Sequence, residues 1–122
     1  MKIVRGLTNA RPSDRGCVLT IGNFDGMHLG HEEIVRQLAA RGREHRLPTA
    51  LLTFEPNPRE YFDPANAPAR LMRLRDKAAR LAELGVDRLI LLKFDERLRS
   101  WDGREFIGRV LVGALGVRHI VI

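Results

Sequence analysis

The chain has 122 residues, 44% hydrophobic and 30% charged, and carries a formal charge of +6 from 21 Lys+Arg against 15 Asp+Glu. That balance suits one folded domain burying roughly two thirds of its unfolded surface, and it excludes a disordered tail. The longest aliphatic run, Leu89-Ile90-Leu91-Leu92, falls far short of the ~20 residues that span a bilayer, and Met1 to Arg5 lack the apolar core of a signal peptide.

The single cysteine, Cys17, excludes an internal disulfide and fits a reducing cytoplasm. Standing before a buried strand, it reads as a small hydrophobe. The basic surplus favours anionic partners: nucleic acid, phosphorylated metabolites or acidic lipid. Nucleic-acid binding would cluster Lys and Arg on one face, interleaved with aromatics. Here the arginines are scattered and aromatics are 6%. The expected partners are small molecules, with neither nucleic acid nor membrane.

Taken in chain order, Val18 to Ile21 is a β-branched run that reads as a buried strand ending at Gly22. Gly22-Asn23-Phe24-Asp25-Gly26 is a turn cluster. Ile34, Val35, Leu38 and Ala39 predict a helix from about Leu29 to Glu44, with His45 and Arg46 where cations suit its C-terminus. Thr49 to Phe54 is a second strand. Pro56 and Pro58 then open a loop running through Phe62, Pro64 and Pro68. Leu74, Ala78, Leu81 and Leu84 mark a second helix capped at Gly85. Leu89 to Phe94 is a third strand, Phe106, Ile107, Val110, Leu111 and Leu115 mark a third helix, and Arg118 to Ile122 begins a fourth strand. This β-α-β-α-β-α-β order with near-continuous apolar strands predicts an open parallel α/β sheet covered on both faces. Ligands of such folds sit beyond the carboxyl ends of the strands, where Gly22 to His31 lies.

In that stretch His28 and His31 are three residues apart at a helix start, so both rings can point the same way. The helix start offers unpaired N–H groups and a positive dipole end, which bind phosphate. Two imidazoles beside them can donate hydrogen bonds to a triphosphate and to charge developing during transfer. No Cys or Ser nucleophile is adjacent, which favours in-line displacement over a covalent intermediate. A closed zinc site would need about four ligands, and Asp25 is the only third one nearby, so no metal site is expected.

Gly22 to His31 matches the G-x-F-D-x-x-H-x-G-H signature of the nucleotidyltransferase superfamily, and Thr20 to His31 resembles the bacterial FAD synthetases. These are bifunctional proteins with an FMN adenylyltransferase module and a riboflavin kinase module. Leu52-Thr53-Phe54-Glu55-Pro56-Asn57-Pro58-Arg59-Glu60-Tyr61-Phe62 resembles the family's loop after the second strand. The resemblance implies a Rossmann-like sheet and FMN adenylyltransferase activity, with ATP, Mg²⁺ and FMN as substrates and FAD as product. His28 and His31 would be catalytic, holding the ATP phosphates. Gly22, Asn23, Phe24, Asp25 and Gly30 would shape the ATP pocket. Pro56, Asn57, Pro58 and Phe62 would lie on the flavin side, although Phe62, like Phe54, could equally fill core.

The family's later G-x-D-F-x-F-G and I-S-S/T-x-x-I segments do not occur in these residues. The expectation is therefore the N-terminal portion of the adenylyltransferase domain, incomplete at the C-terminus and without the kinase domain. Self-association through the edge of the last strand is a further expectation. Two alternatives stay open: a related transferase acting on another phosphorylated acceptor, and an inactive ATP-binding fragment. Trp101 reads as a loop anchor, and His45 and His119 as surface or strand residues without a motif.

Overall fold

The computed structural model describes residues 1–12 and 15–122. Among these, five parallel strands form one sheet in the order β1-β4-β3-β2-β5: β1 (Lys2–Arg5), β2 (Cys17–Ile21), β3 (Thr49–Phe54), β4 (Arg88–Leu92) and β5 (Val117–Ile120). The helices are α1 (Leu29–His45), α2 (Pro58–Phe62), α3 (Leu74–Glu83), α4 (Glu96–Arg99) and α5, which begins at Gly103–Phe106 and continues as a wider π-helical stretch over Ile107–Ala114. In that stretch Leu115 N donates to Val110 O, five residues back.

Alternate residues of each central strand face opposite sides, as the period of two requires. Cys17, Leu19, Ala50, Leu52, Ile90 and Leu92 pack with Val110, Leu111 and Leu115 of α5 on one face. Val18, Leu51, Leu89 and Leu91 pack with Val35 and Leu38 of α1 and Leu81 of α3 on the other. So α1 and α3 follow β2 and β3 onto one face, while α5 follows β4 onto the opposite face. The strand order reverses at β2, which lies between β3 and β5, and open α/β sheets hold ligands beyond the carboxyl ends at such a reversal.

The expected fold class holds, with several corrections. A fifth strand, β1, precedes the expected four. It lies at the sheet edge and buries only Val4, so it carries no apolar run to announce it. The strand expected over Leu89 to Phe94 stops at Leu92, and the last strand spans Val117–Ile120 rather than starting at Arg118. Helix α4 was not expected; Asp95 caps it by accepting from Leu98 N at 3.0 Å. The expected loop after Pro56 contains α2, whose capping box and first-turn proline specify a helix start.

Candidate active site

Strand β2 leaves the core at Ile21, and Gly22 N still donates to Leu52 O at 3.1 Å. The turn that follows holds two residues in the left-handed region, Phe24 (φ 51°) and Met27 (φ 45°). Both side chains are buried in the core between β2, α1 and α3, and this burial offsets the unfavourable backbone. Phe24 folds its ring back over Gly22, where an added Cβ would stand 2.5 Å from Cε2, so only glycine fits there.

His28 is the N-cap of α1, but its side chain makes no capping bond, and the first-turn amides are left without a side-chain partner. The rings of His28 and His31 stack with centroids 3.6 Å apart and 23° between planes. Phe24 packs against His31 at 4.9 Å. Gly30 lies under the His28 ring, where a Cβ would come within 3.3 Å of Cε1. His31 Nδ1 is buried without a hydrogen-bond partner. Burial, then the neighbouring charges of His28 and Lys77, hold the His31 imidazole below the usual histidine range, against a smaller opposite pull from Asp25. His31 is thus a neutral ring at neutral pH, with one nitrogen able to accept and one to donate.

Other elements brace this turn. The Asp25 carboxylate accepts from Leu71 N (3.0 and 2.9 Å) and Met72 N (2.9 Å), just before α3. Lys77 of α3 is buried and donates from Nζ to Asn23 O at 2.7 Å. Phe24 and Asp25, read as pocket-shaping, therefore act from beneath and beside the surface; Asn23, His28 and Gly30 are its exposed members.

The stretch after β3 is brought up to the same turn. Asn57 caps α2 by accepting from Glu60 N at 2.9 Å, while Glu60 accepts from Asn57 N at 3.0 Å, and Pro58 starts the helix. Arg70 bridges Glu60 (2.8 Å) and Glu55 (2.6 Å), and its guanidinium holds the Glu60 carboxyl below the usual carboxylate range. A cleft of about 480 Å³ lies between Asn23 and Asp25 on one side and Asn57, Pro58 and Arg59 on the other. Two motifs about thirty residues apart thus share one opening.

Phe62 does not line that cleft and does not fill core; it is 58% exposed. It packs edge-on against Tyr61 (5.1 Å) and Phe94 (5.6 Å), with the Arg99 guanidinium 5.4 Å from its ring. The Tyr61 hydroxyl donates to Glu96, tying α2 to α4. Beside this cluster, at the carboxyl ends of β2 and β3, is a second cleft of about 320 Å³ walled by Ile21, Phe54, Phe94, Phe106 and Trp101. Phe54 packs partly on the core and partly faces this cleft. Phe94, Phe106 and Tyr61 do not read as site residues in the sequence: Phe94 ends the expected third strand, Phe106 belongs to the expected third helix, and Tyr61 enters only as part of the Leu52 to Phe62 stretch.

Of the remaining candidates, Trp101 anchors the α4–α5 loop against the core, between the guanidinium groups of Arg97 (5.7 Å) and Arg109 (5.3 Å). Cys17 is buried in the core, and burial pushes its thiol up, away from reactivity. His45 and His119 stack on each other at 3.8 Å although nothing in the sequence connects them. Among the described residues no group of three His, Cys, Asp or Glu could hold a metal ion, and no helix is long and apolar enough to cross a membrane.

The parallel sheet with a paired-histidine helix start at its carboxyl edge is an open α/β fold, consistent with the nucleotidyltransferase type. A solved structure titled as a macrolide-efflux protein from Streptococcus pneumoniae has the same fold, with a TM-score of 0.83 at 23% identity over 99% of this chain and 47% of that one. The family model of FAD synthetase matches residues 10–122, and the chain belongs to that family. It is 51% identical over its whole length to a bifunctional riboflavin kinase/FMN adenylyltransferase of Pseudomonas fluorescens and 49% identical to the protein of that name from Haemophilus influenzae. It spans 39% and 40% of those two proteins.

Proposed function

We propose that residues 1–122 are the N-terminal portion of an FMN adenylyltransferase domain and carry the part of its site that binds ATP and positions it for transfer to FMN. The observation that carries this reading is the stacked His28–His31 pair on the uncapped start of α1, two residues beyond a turn that borders the Asn57–Pro58 cleft. The triphosphate lies on the first-turn amides and the two imidazoles. A phosphate oxygen of FMN attacks the α-phosphorus of ATP in line. The new O–Pα bond gives FAD as the bond from Pα to its bridging oxygen breaks, and pyrophosphate leaves with that electron pair. His28 and the neutral His31, stacked on each other, hydrogen-bond the α-phosphoryl oxygens as charge builds. The isoalloxazine ring stacks on the aromatic group of Phe62, Phe94 and Phe54.

Mg²⁺ would accompany ATP, held mainly by phosphate oxygens and water, and would supply screening of the phosphate charge. The riboflavin kinase reaction in the relatives' names is not assigned to these residues. We place the chain in the cytoplasm on its single cysteine. Among the described residues β5 lies at the sheet edge beside β2, a position that favours self-association; a clean monomer in size-exclusion chromatography counts against this.

The test is incubation with ATP, Mg²⁺ and FMN, chromatography of the products, and parallel reactions with phosphopantetheine and glycerol phosphate. FAD from FMN alone supports the assignment. FMN binding without FAD means that further segments complete the transfer site, and product from another acceptor overturns the flavin assignment.

A further inference from the structure

We propose that Lys77 is a positioning residue: its ammonium latches the peptide between Asn23 and Phe24 to α3 and so fixes the ring of His31 for its work on the nucleotide. Lys77 is 8% exposed, and an ammonium so deeply placed needs a partner. That partner is Asn23 O at 2.7 Å. The same peptide plane carries the N–H of Phe24, so holding the carbonyl sets the rotation about the N–Cα bond of Phe24. That bond sits at φ 51°, a minor conformation that persists only when the surroundings determine it. The Phe24 ring then rests on His31, and His31 on His28. The path from α3 to the paired imidazoles thus runs through contacts only, with the Asp25 clamp on Leu71 and Met72 tying the same turn to the segment just before α3.

The charges around Lys77 are Asp25, Glu55 and Glu60, which favour its charged form, and Arg70, which opposes it together with burial. The charged groups facing His31 are His28, Lys77 and Asp25. Lys77 therefore also helps keep His31 neutral.

The consequence for catalysis rests on the adenylyltransferase reading; the positioning does not, and it is measured without nucleotide. In the isotope-labelled chain, the ring signals of His28 and His31 and the Phe24–His31 contact are followed by NMR across a pH titration in the parent, K77R, K77Q and K77M. K77R retains donor and charge and is expected to behave as the parent. K77Q retains a donor without the charge, so the Phe24–His31 contact stays while the His31 midpoint moves up. K77M loses both, and AMP transfer falls roughly 10–100-fold as the rings shift. Should K77M fail to fold, K77A, which also removes the donor, is read by the same Phe24–His31 contact and decides the matter. An unchanged Phe24–His31 contact in a folded variant that lacks the donor overturns the proposal.

Discussion

The two ends of the proposed site, one assigned to the nucleotide and one to the flavin, are built in different ways. The nucleotide end comes from one contiguous stretch, Gly22 to His31, whose support is buried: Phe24 and Met27 lie in the core and Lys77 is hidden behind the turn. The flavin end is gathered from β3, α2, the loop after β4 and α5, and its aromatic rings are half-exposed, joined by edge contacts and by ion pairs at the surface. A group that must meet a phosphorus atom within tenths of an ångström is backed by close packing, whereas a surface that receives a broad ring is left open.

The sharpest way to break this comparison is to remove one aromatic from each end. Phe24→Ala takes a fully packed ring from the core and should lower stability by about 3–5 kcal/mol in urea unfolding. Phe62→Ala should change it by no more than about 0.5 kcal/mol. Equal losses would mean that the two ends share one kind of support.

Next in size, His28→Ala should reduce AMP transfer about 10²–10³-fold with the unfolding midpoint unchanged, because His28 is exposed and makes no capping bond. Its counterpart, Phe94→Ala, should weaken FMN binding by about tenfold, the scale of one lost aromatic stack, and leave ATP binding alone. Calorimetric titration with each ligand separates the two. A loss of ATP affinity in Phe94→Ala would show that the ends are not distinct.

The smallest effect concerns the ion pairs bordering the cleft. Hydrogen bonds from Arg70, then from Asn57 N, depress the Glu60 carboxyl below its ordinary 4.5. A depressed carboxylate contributes stability above its unfolded value and loses it as pH falls through the folded one. Glu60→Gln should therefore be less stable than the parent near pH 7, by at most about 1 kcal/mol because Arg70 is well exposed. The gap should shrink in urea midpoints measured below pH 4.5. A gap that widened in acid would contradict the assignment.

The contrast between the ends also explains what could be read from the sequence. The central strands announced themselves because both faces are buried and their apolar runs are unbroken. The His28–His31 pair was legible because residues three apart at a helix start share a face whatever the rest of the chain does. Strand β1 was not, since an edge strand burying Val4 alone has no pattern. Asp25 could be placed at the site, but its ties to Leu71 and Met72 span 46 and 47 residues, a separation that only the fold closes. Phe94 and Phe106 are ordinary isolated aromatics until the loop after β4 and helix α5 bring them to Phe54 at the end of β3. Lys77 was not singled out from the sequence; its burial and the carbonyl facing it come only with the fold.

The most direct test is NMR mapping of ATP on the labelled chain, followed by FMN. ATP with Mg²⁺ should perturb the amides from Gly22 to His31 and the rings of His28 and His31, while leaving Phe62 and Phe94 unmoved until FMN is added. ATP signals confined to any other part of the sheet, or none at saturating nucleotide in a folded chain, would contradict a nucleotide site at the start of α1.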